Sequence, residues 1–176
     1  MEDKTFITTS NCSTCKNCIN RMFNPDVPVN FCKGSINTDT VFLLPFAEFD
    51  KVDIKDTEKI LSDVYFEITG LPIYNNGLVT RTIRCRNVPN YNTYIPAAHR
   101  CRMITYGLLN KIKCKHLFVF GNAWECMFDS YPIRHLQHND MNIYCNYSPG
   151  VAFYDAGKYT IFKQQLAEDI NLANNL

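Results

Sequence analysis

Nine cysteines give this chain its most specific chemistry. Cys12 and Cys15 are separated by two residues, which places two thiols on one tight turn, and Cys85 and Cys101 supply two more from the middle of the chain. In a reducing compartment, clustered cysteines indicate metal ligands before disulfides. Two thiolates on one turn and two from distant elements are what a four-coordinate iron–sulfur cluster or a zinc site requires. The cysteines therefore predict a metal centre, either a cluster or zinc.

Arginines flank both of the mid-chain cysteines, in the segments Arg84-Cys85-Arg86 and Arg100-Cys101-Arg102. A cluster held by four thiolates carries net negative charge, which these arginines could offset. They suit a phosphate-facing surface equally well, because guanidinium groups bind phosphate oxygens in bidentate fashion. The plainest alternative is a solvated charged face beside two unrelated thiols.

The other five cysteines are assigned lesser roles. Cys18 extends the amino-terminal run to C-x2-C-x2-C and is an alternative ligand, as in ferredoxins, whereas Cys32 is spare. The remaining three lie on predicted core elements, where we expect them to be small buried hydrophobic residues: Cys114, Cys126 and Cys145.

Length and composition predict one globular domain. The chain has 176 residues, of which 46% are hydrophobic and 13% aromatic, which is too apolar for disorder and enough for a packed core. The net charge is +1, so nucleic-acid binding must come from local patches. We expect a cytosolic protein without a membrane span or signal peptide, because no long apolar run occurs and the opening MEDKTFITTS is polar. The predicted domain covers residues 1–176 and begins with the cysteine-rich segment.

Apolar segments alternate with amphipathic ones along the chain. Four apolar runs indicate buried strands, at residues 41–46, 77–83, 115–121 and 141–147. Helical patterns occur at residues 56–71, 96–112, 122–128 and 157–176. This alternation is typical of an α/β fold, so we predict a three-layer α/β/α sandwich around a central four-stranded parallel sheet.

Ligands of a parallel sheet bind beyond the carboxyl ends of its strands. That rule selects four segments as candidate binding loops: 45–50, 81–90, 121–123 and 146–150. The second segment contains Cys85, and the first turn of the helix that carries Cys101 can face it. The two mid-chain thiols are therefore expected to approach each other.

The order of these motifs resembles the iron–sulfur branch (family 4) of the uracil-DNA glycosylase superfamily. That branch has a C-x2-C pair, a strand ending in G-E-A-P-G, a T-N-x-x-K-C-R-P-P motif, a helix with A-A-x-x-C, a GATA-like strand end and a final H-P-S motif. This chain has, in the same order, CSTCKNCINR, VFLLPFAEFD, GLVTRTIRCRNVPN, IPAAHRCR, LFVFGNAWECM and YCNYSPG. The resemblance covers nearly the whole chain. It implies a uracil-DNA glycosylase-like fold and a [4Fe–4S] cluster bound by Cys12, Cys15, Cys85 and Cys101.

The active-site motifs of that family are altered here. The loop that supplies its acidic residue is replaced by LPFAEFD, in which Glu48 or Asp50 would activate water. Arg81 stands where the family has the asparagine that reads the edge of uracil, and arginine has only hydrogen-bond donors. Asn146 stands at the position of the H-P-S histidine, where its amide can donate a hydrogen bond to a developing anionic base.

The resemblance also implies a DNA-binding surface, which would comprise Phe46, Arg81, Arg84, Arg86, Arg100, Arg102, Ser148 and Pro149. We therefore expect a DNA-binding iron–sulfur protein of replication, transcription or repair, with a uracil pocket that is degenerate or retuned. One alternative is an active glycosylase that hydrolyses the N-glycosidic bond of uracil or a modified base. The other is a protein-interaction module that binds a polymerase.

Overall fold

A computed structural model describes residues 32–45, 54–83, 91–130 and 132–175. Within these ranges, strands alternate with helices and six strands form one sheet. The α/β class predicted from the sequence is confirmed. No helix in the described ranges is long and apolar enough to cross a bilayer.

The elements are numbered in chain order. The strands are β1 (Cys32–Gly34), β2 (Thr40–Leu44), β3 (Leu78–Arg81), β4 (His116–Phe120), β5 (His135–His138) and β6 (Met141–Asn146). The helices are α1 (Ile54–Thr69), α2 (Ile73–Asn76), α3 (Tyr91–Ile112), α4 (Ala123–Phe128) and α5 (Ala156–Asn174). A 3-10 turn, Pro149–Phe153, lies between β6 and α5.

The strands are arranged in the order β1-β3-β2-β4-β6-β5. β2 pairs in parallel with β3 and with β4, and β4 pairs in parallel with β6. β1 and β5 are antiparallel strands at the two edges. The prediction of a sheet of four parallel strands is therefore incomplete, because the observed sheet is mixed and has six strands. β1 spans three residues and β5 reads HLQH, so neither contains an apolar run.

Helices cover both faces of the sheet. One core packs strand side chains such as Phe42 against α1 and α5, and the other packs Leu43 against α3 and α4. On the first face, Phe42, Phe118 and Tyr144 stack across three adjacent strands, with ring centroids 4.9 and 4.8 Å apart. Each such buried ring stabilises the fold by on the order of 2 kcal/mol. The strand ends are thus held between two helical layers.

Local sequence explains where α5 begins, but it predicted the wrong start for α3. Asp155 caps α5, since its Oδ1 accepts a hydrogen bond from Lys158 N at 2.9 Å. α3 begins at Tyr91, whereas the sequence predicted a start at Pro96. That prediction placed the proline in the first turn, where its missing N–H costs nothing. The helix instead includes Pro96 in its second turn, where it cannot donate to the carbonyl four residues earlier.

Candidate functional site

The carboxyl ends of β2, β3, β4 and β6 lie at one edge of the sheet, as their parallel pairing requires. Leu44 of β2 lies beside Arg81 of β3, and Asn146 of β6 lies beside the last residue of β4. Backbone hydrogen bonds continue past the strands, from Thr82 N to Leu44 O at 3.0 Å and from Gly121 N to Asn146 O at 2.9 Å. This carboxyl edge brings together the residues that follow the four strands, and it is the candidate site.

Arg81 is buried at the carboxyl edge, with 2% of its surface exposed. Its Nη1 donates to the carbonyl oxygen of Pro45 at 3.1 Å, and its Nη2 donates to Glu58 Oε2 at 3.3 Å. Pro45 follows β2 and Glu58 lies on α1, so this side chain joins two strand ends to a helix. The guanidinium is therefore bound by groups of the protein itself.

Glu58 accepts hydrogen bonds from two further side chains. Lys33 Nζ lies 2.8 Å and the Tyr74 hydroxyl 2.6 Å from its Oε1. Burial raises the pKa of Glu58, but the hydrogen bonds from Lys33 and Tyr74 and the charges of Lys33 and Arg81 outweigh it, so the pKa lies below its usual value. Burial is the main cause that raises the pKa of Tyr74, and the hydrogen bond to the Glu58 carboxylate raises it further. The cluster is thus a stable arrangement of one anion, two cations and a neutral phenol.

Asn146 belongs to a second buried polar cluster. Its Nδ2 donates to Asp169 Oδ2 at 2.8 Å. Asp169 lies on α5, is fully buried, and also accepts from Arg134 Nη1 at 2.6 Å and contacts His135 Nε2 at 2.7 Å. Within the described part of the chain, Asn146 Oδ1 is buried and accepts no hydrogen bond. This cluster therefore holds the amide of Asn146 by its nitrogen alone.

Tight packing joins the turn after β4 to the turn after β6. Gly121 has a φ of +54°, and a Cβ at this position would lie 2.9 Å from Ser148 Cβ. Ser148 Oγ accepts a hydrogen bond from Gly150 N at 3.3 Å and caps the 3-10 turn. Ser148 and Pro149, both predicted to contact DNA, are buried, whereas the neighbouring Tyr147 is exposed. Tyr147 thus presents a large aromatic side chain to solvent at the end of β6.

The three residues of the segment Arg100-Cys101-Arg102 on α3 lie in different environments. Cys101 is buried and Arg100 is exposed. Arg102 Nε donates to the carbonyl oxygen of Cys126 at 2.8 Å, and its Nη2 donates to Asp129 Oδ1 at 2.7 Å. These bonds attach α3 to the end of α4. Of the two arginines, Arg100 is the one placed to meet a phosphate without first breaking an ion pair within the described residues.

Most of the predicted ligands and several predicted contact residues lie outside the described residues: Cys12, Cys15, Phe46, Glu48, Asp50, Arg84, Cys85 and Arg86. Of the four predicted cluster ligands, the described ranges contain Cys101, and its side chain is buried. No group of three or more His, Cys, Asp or Glu side chains in those ranges is arranged to hold a metal ion. The ligand set stays a prediction.

Burial explains most of the cysteines outside the predicted ligand set. The predicted core positions are confirmed for Cys114 and Cys126, which are buried, while Cys145 is partly buried. Burial raises the pKa of Cys114 to about 12 and that of Cys145 to about 11, so both thiols are protonated at neutral pH. Cys32 is also buried, and its Sγ lies 3.1 Å from Thr80 Oγ1.

Glu58 and Asp169 were missed by the sequence analysis, although each carries a signal. Glu58 lies three residues before the buried Leu61, and Asp169 lies three residues after the buried Leu166. Residues three apart share one face of a helix, so both carboxylates fall on the apolar face of their helices. A carboxylate at such a position requires a partner, which is the signal that identifies it.

Comparison of the sequence with models of known protein families and with curated proteins found no match. The resemblance to the uracil-DNA glycosylase superfamily therefore depends on the motifs and their order.

Proposed function

We propose that this chain is a DNA-binding iron–sulfur protein of the uracil-DNA glycosylase superfamily whose uracil pocket has been retuned. Its fold would then be the three-layer α/β/α sandwich of that superfamily, with extra antiparallel strands at the sheet edges. Its role would be that of an accessory protein in replication, transcription or repair. The proposed partner is DNA, and a polymerase or another protein of these processes is a further candidate partner.

The environment of Arg81 carries this proposal. Arg81 occupies the position where the resembling family reads uracil with an asparagine, and here its guanidinium binds Pro45 and Glu58. A guanidinium cannot accept the N3–H of uracil, and this one is buried in an ion pair. Excision requires a base reader, a water-activating acid and charge stabilisation that act together, and changing several members of such a set is crippling. Efficient uracil excision is therefore not expected.

Two exposed side chains among the described residues support DNA binding. The exposed Tyr147 lies at the end of β6 and can stack on an unpaired base, which is favourable whatever the base. The exposed Arg100 adds a cation on α3, next to the buried Cys101. If Cys101 binds a cluster with Cys12, Cys15 and Cys85, the cluster would fix the loop that contains Arg84 and Arg86 close to Arg100.

Three measurements on the purified protein test the proposal. The first is the affinity for single-stranded and duplex oligonucleotides as a function of salt, for which we expect a slope corresponding to several phosphate contacts. The second is uracil release from a single-stranded oligonucleotide with one deoxyuridine, for which we expect no product above background. Iron and acid-labile sulfide, quantified in anaerobically purified protein, test for the cluster and distinguish it from zinc.

The possible results separate the three functions. Multiple-turnover release of uracil would show an active glycosylase and overturn the retuned pocket. Failure to bind any oligonucleotide at low salt would favour a protein-interaction module. Salt-dependent binding without uracil release is the result that the proposal requires.

A further inference from the structure

The side-chain amide of Asn146 is buried but only half satisfied. The residue is 4% exposed, and its Nδ2 donates to Asp169 at 2.8 Å. Its Oδ1 is buried and has no donor among the described residues. A buried carbonyl oxygen without a donor is costly, so its retention at the carboxyl edge calls for a function.

The orientation of this amide is determined by Asp169. The carboxylate of Asp169 accepts from Arg134 and contacts His135 Nε2, and Arg134 also donates to the carbonyl oxygens of Cys145 and Gln165. A carboxylate has only acceptors, so the amide group that faces it must be the NH2. Rotating the amide by 180° would set two acceptor oxygens against each other. The carbonyl oxygen of Asn146 is therefore fixed on the side away from Asp169.

We propose that Asn146 Oδ1 accepts a hydrogen bond from an N–H group of a bound nucleobase, and that Asp169 is the residue that positions it. This inference rests on the proposed function in one respect, namely that the ligand is a base of DNA. It reverses the direction of the hydrogen bond expected from the sequence, in which residue 146 donates to an oxygen of the base. Asn146 would then determine specificity by requiring a donor.

The burial of Asn146 makes this requirement discriminating. A base with an amino or imide N–H would satisfy the oxygen, whereas a base without a donor at that point would leave it unpaired in a site closed to water. Sites built around such buried polar groups reject analogues that lack the matching group far more strongly than apolar pockets reject an extra methyl group. We expect the presence of the donor to strengthen binding about ten-fold or more.

Binding to oligonucleotides with a single base tests the proposal. In each probe the central nucleotide carries the only base and the other positions are abasic, so the phosphate contacts are constant. The probes are deoxyadenosine and the purine deoxynucleoside, which lacks the amino group, then deoxyuridine and N3-methyldeoxyuridine, and a fully abasic strand. Fluorescence anisotropy should show that wild-type protein prefers the donor in at least one of the two pairs.

Variants assign that preference to the buried amide. Asn146→Leu should reduce the preference to about one-fold, while Asn142→Leu, at the opposite end of the same strand, should retain it. In Asp169→Asn, the new amide can donate to Asn146 Oδ1, so base preference should fall while the salt dependence of abasic-strand binding stays the same. If Asp169 only stabilised the fold, Asp169→Asn would not lower the base preference while leaving the salt dependence of abasic-strand binding unchanged. Circular dichroism checks that each variant is folded.

Each result bears on the proposal. If no probe binds, including the abasic strand, both the proposed function and this inference fail. Salt-dependent binding without a donor preference in the wild-type protein overturns the inference alone, and this result requires no variant to fold. A donor preference that persists in Asn146→Leu also overturns it, because a group other than the Asn146 amide then recognises the donor.

Discussion

Arg81 and Glu58 form a buried ion pair, with Nη2 and Oε2 3.3 Å apart, although one ends a strand and the other lies in the second turn of α1. The same guanidinium binds the carbonyl oxygen of Pro45, where the loop after β2 begins. Through the Arg81 side chain, the start of the predicted binding loop 45–50 is connected to the end of β3. The predicted binding loop 81–90 begins at that same strand end. The integrity of the ion pair should affect both the stability of the fold and the geometry of the carboxyl edge.

Replacing Glu58 by Gln should destabilise the protein strongly. The change leaves Arg81 buried without its anion, and breaking a buried pair in this way costs about 3 kcal/mol. Glu67 offers a matched control, because it lies on the same helix and pairs with Lys163 at 2.7 Å but is exposed. Glu67→Gln should change the free energy of unfolding by about 0.5 kcal/mol or less. Urea denaturation of both variants measures the difference, and equal losses would contradict the buried pair.

The contribution of Glu58 should depend on pH in a defined direction. Because the pKa of the folded state lies below the ordinary value of 4.5, folding favours the ionised form. The stabilisation is therefore complete above pH 4.5 and is lost as the pH falls through the lower pKa of the folded state. The difference in unfolding free energy between wild type and Glu58→Gln should be constant from pH 7 to 5 and shrink below 4.5. A difference that stays constant to pH 3 would show that the carboxylate is not stabilised by folding.

Sequence patterns predicted the α/β class because burial leaves a simple signature. The strands that lie inside the sheet are apolar on both faces, so β4 reads as the continuous run HLFVF and is buried throughout. β5 was not predicted, because it lacks such an apolar run. Its segment HLQH is an exposed edge strand held by pairing with β6, and the cue to it was the Asn139-Asp140 turn, in which Asn139 has a φ of +53°.

The polar clusters at the candidate site were not predictable in the same way. Glu58 meets Arg81 and Lys33 only after three separate elements have packed, and Asp169 meets Asn146 across 23 positions of sequence. Local periodicity can place a carboxylate on the buried face of a helix, but it does not identify the donor. Arg81 was therefore expected to contact DNA, whereas in the fold its guanidinium binds the protein's own oxygen atoms.

Substituting Gly121 by Ala should destabilise the carboxyl edge. The residue has a φ of +54°, and the added Cβ would lie 2.9 Å from Ser148 Cβ, so the change strains the backbone and separates two turns. We expect a loss of about 1–2 kcal/mol. Gly107→Ala is the control, since this glycine lies within α3 with nothing within 4 Å of a built Cβ, and it should stabilise the helix by about 0.5–1 kcal/mol. Thermal denaturation should show shifts of opposite sign.

Replacing Arg100 by Ala should weaken DNA binding through the loss of one phosphate contact. For single-stranded DNA, the slope of log affinity against log salt should fall by about 0.7. Lys111→Ala removes another exposed cation from α3, at the end of the helix away from the carboxyl edge, and should leave the slope unchanged. Equal effects of the two variants would show that DNA binds through general charge and not at this edge.

Replacing Cys101 by Ser should abolish the proposed cluster. One ligand of four would be lost, so anaerobically purified Cys101→Ser should contain little iron or sulfide and lack absorption in the visible region. Cys145→Ser is the matched control, because this thiol is partly buried, has a pKa raised to about 11, and is outside the predicted ligand set. It should retain the iron of the wild-type protein. If Cys101→Ser keeps its full iron content, Cys101 is not a ligand, and Cys18 becomes the candidate for the fourth sulfur. If the wild-type protein contains zinc and no sulfide, the same four thiolates bind a single ion and the cluster assignment is wrong.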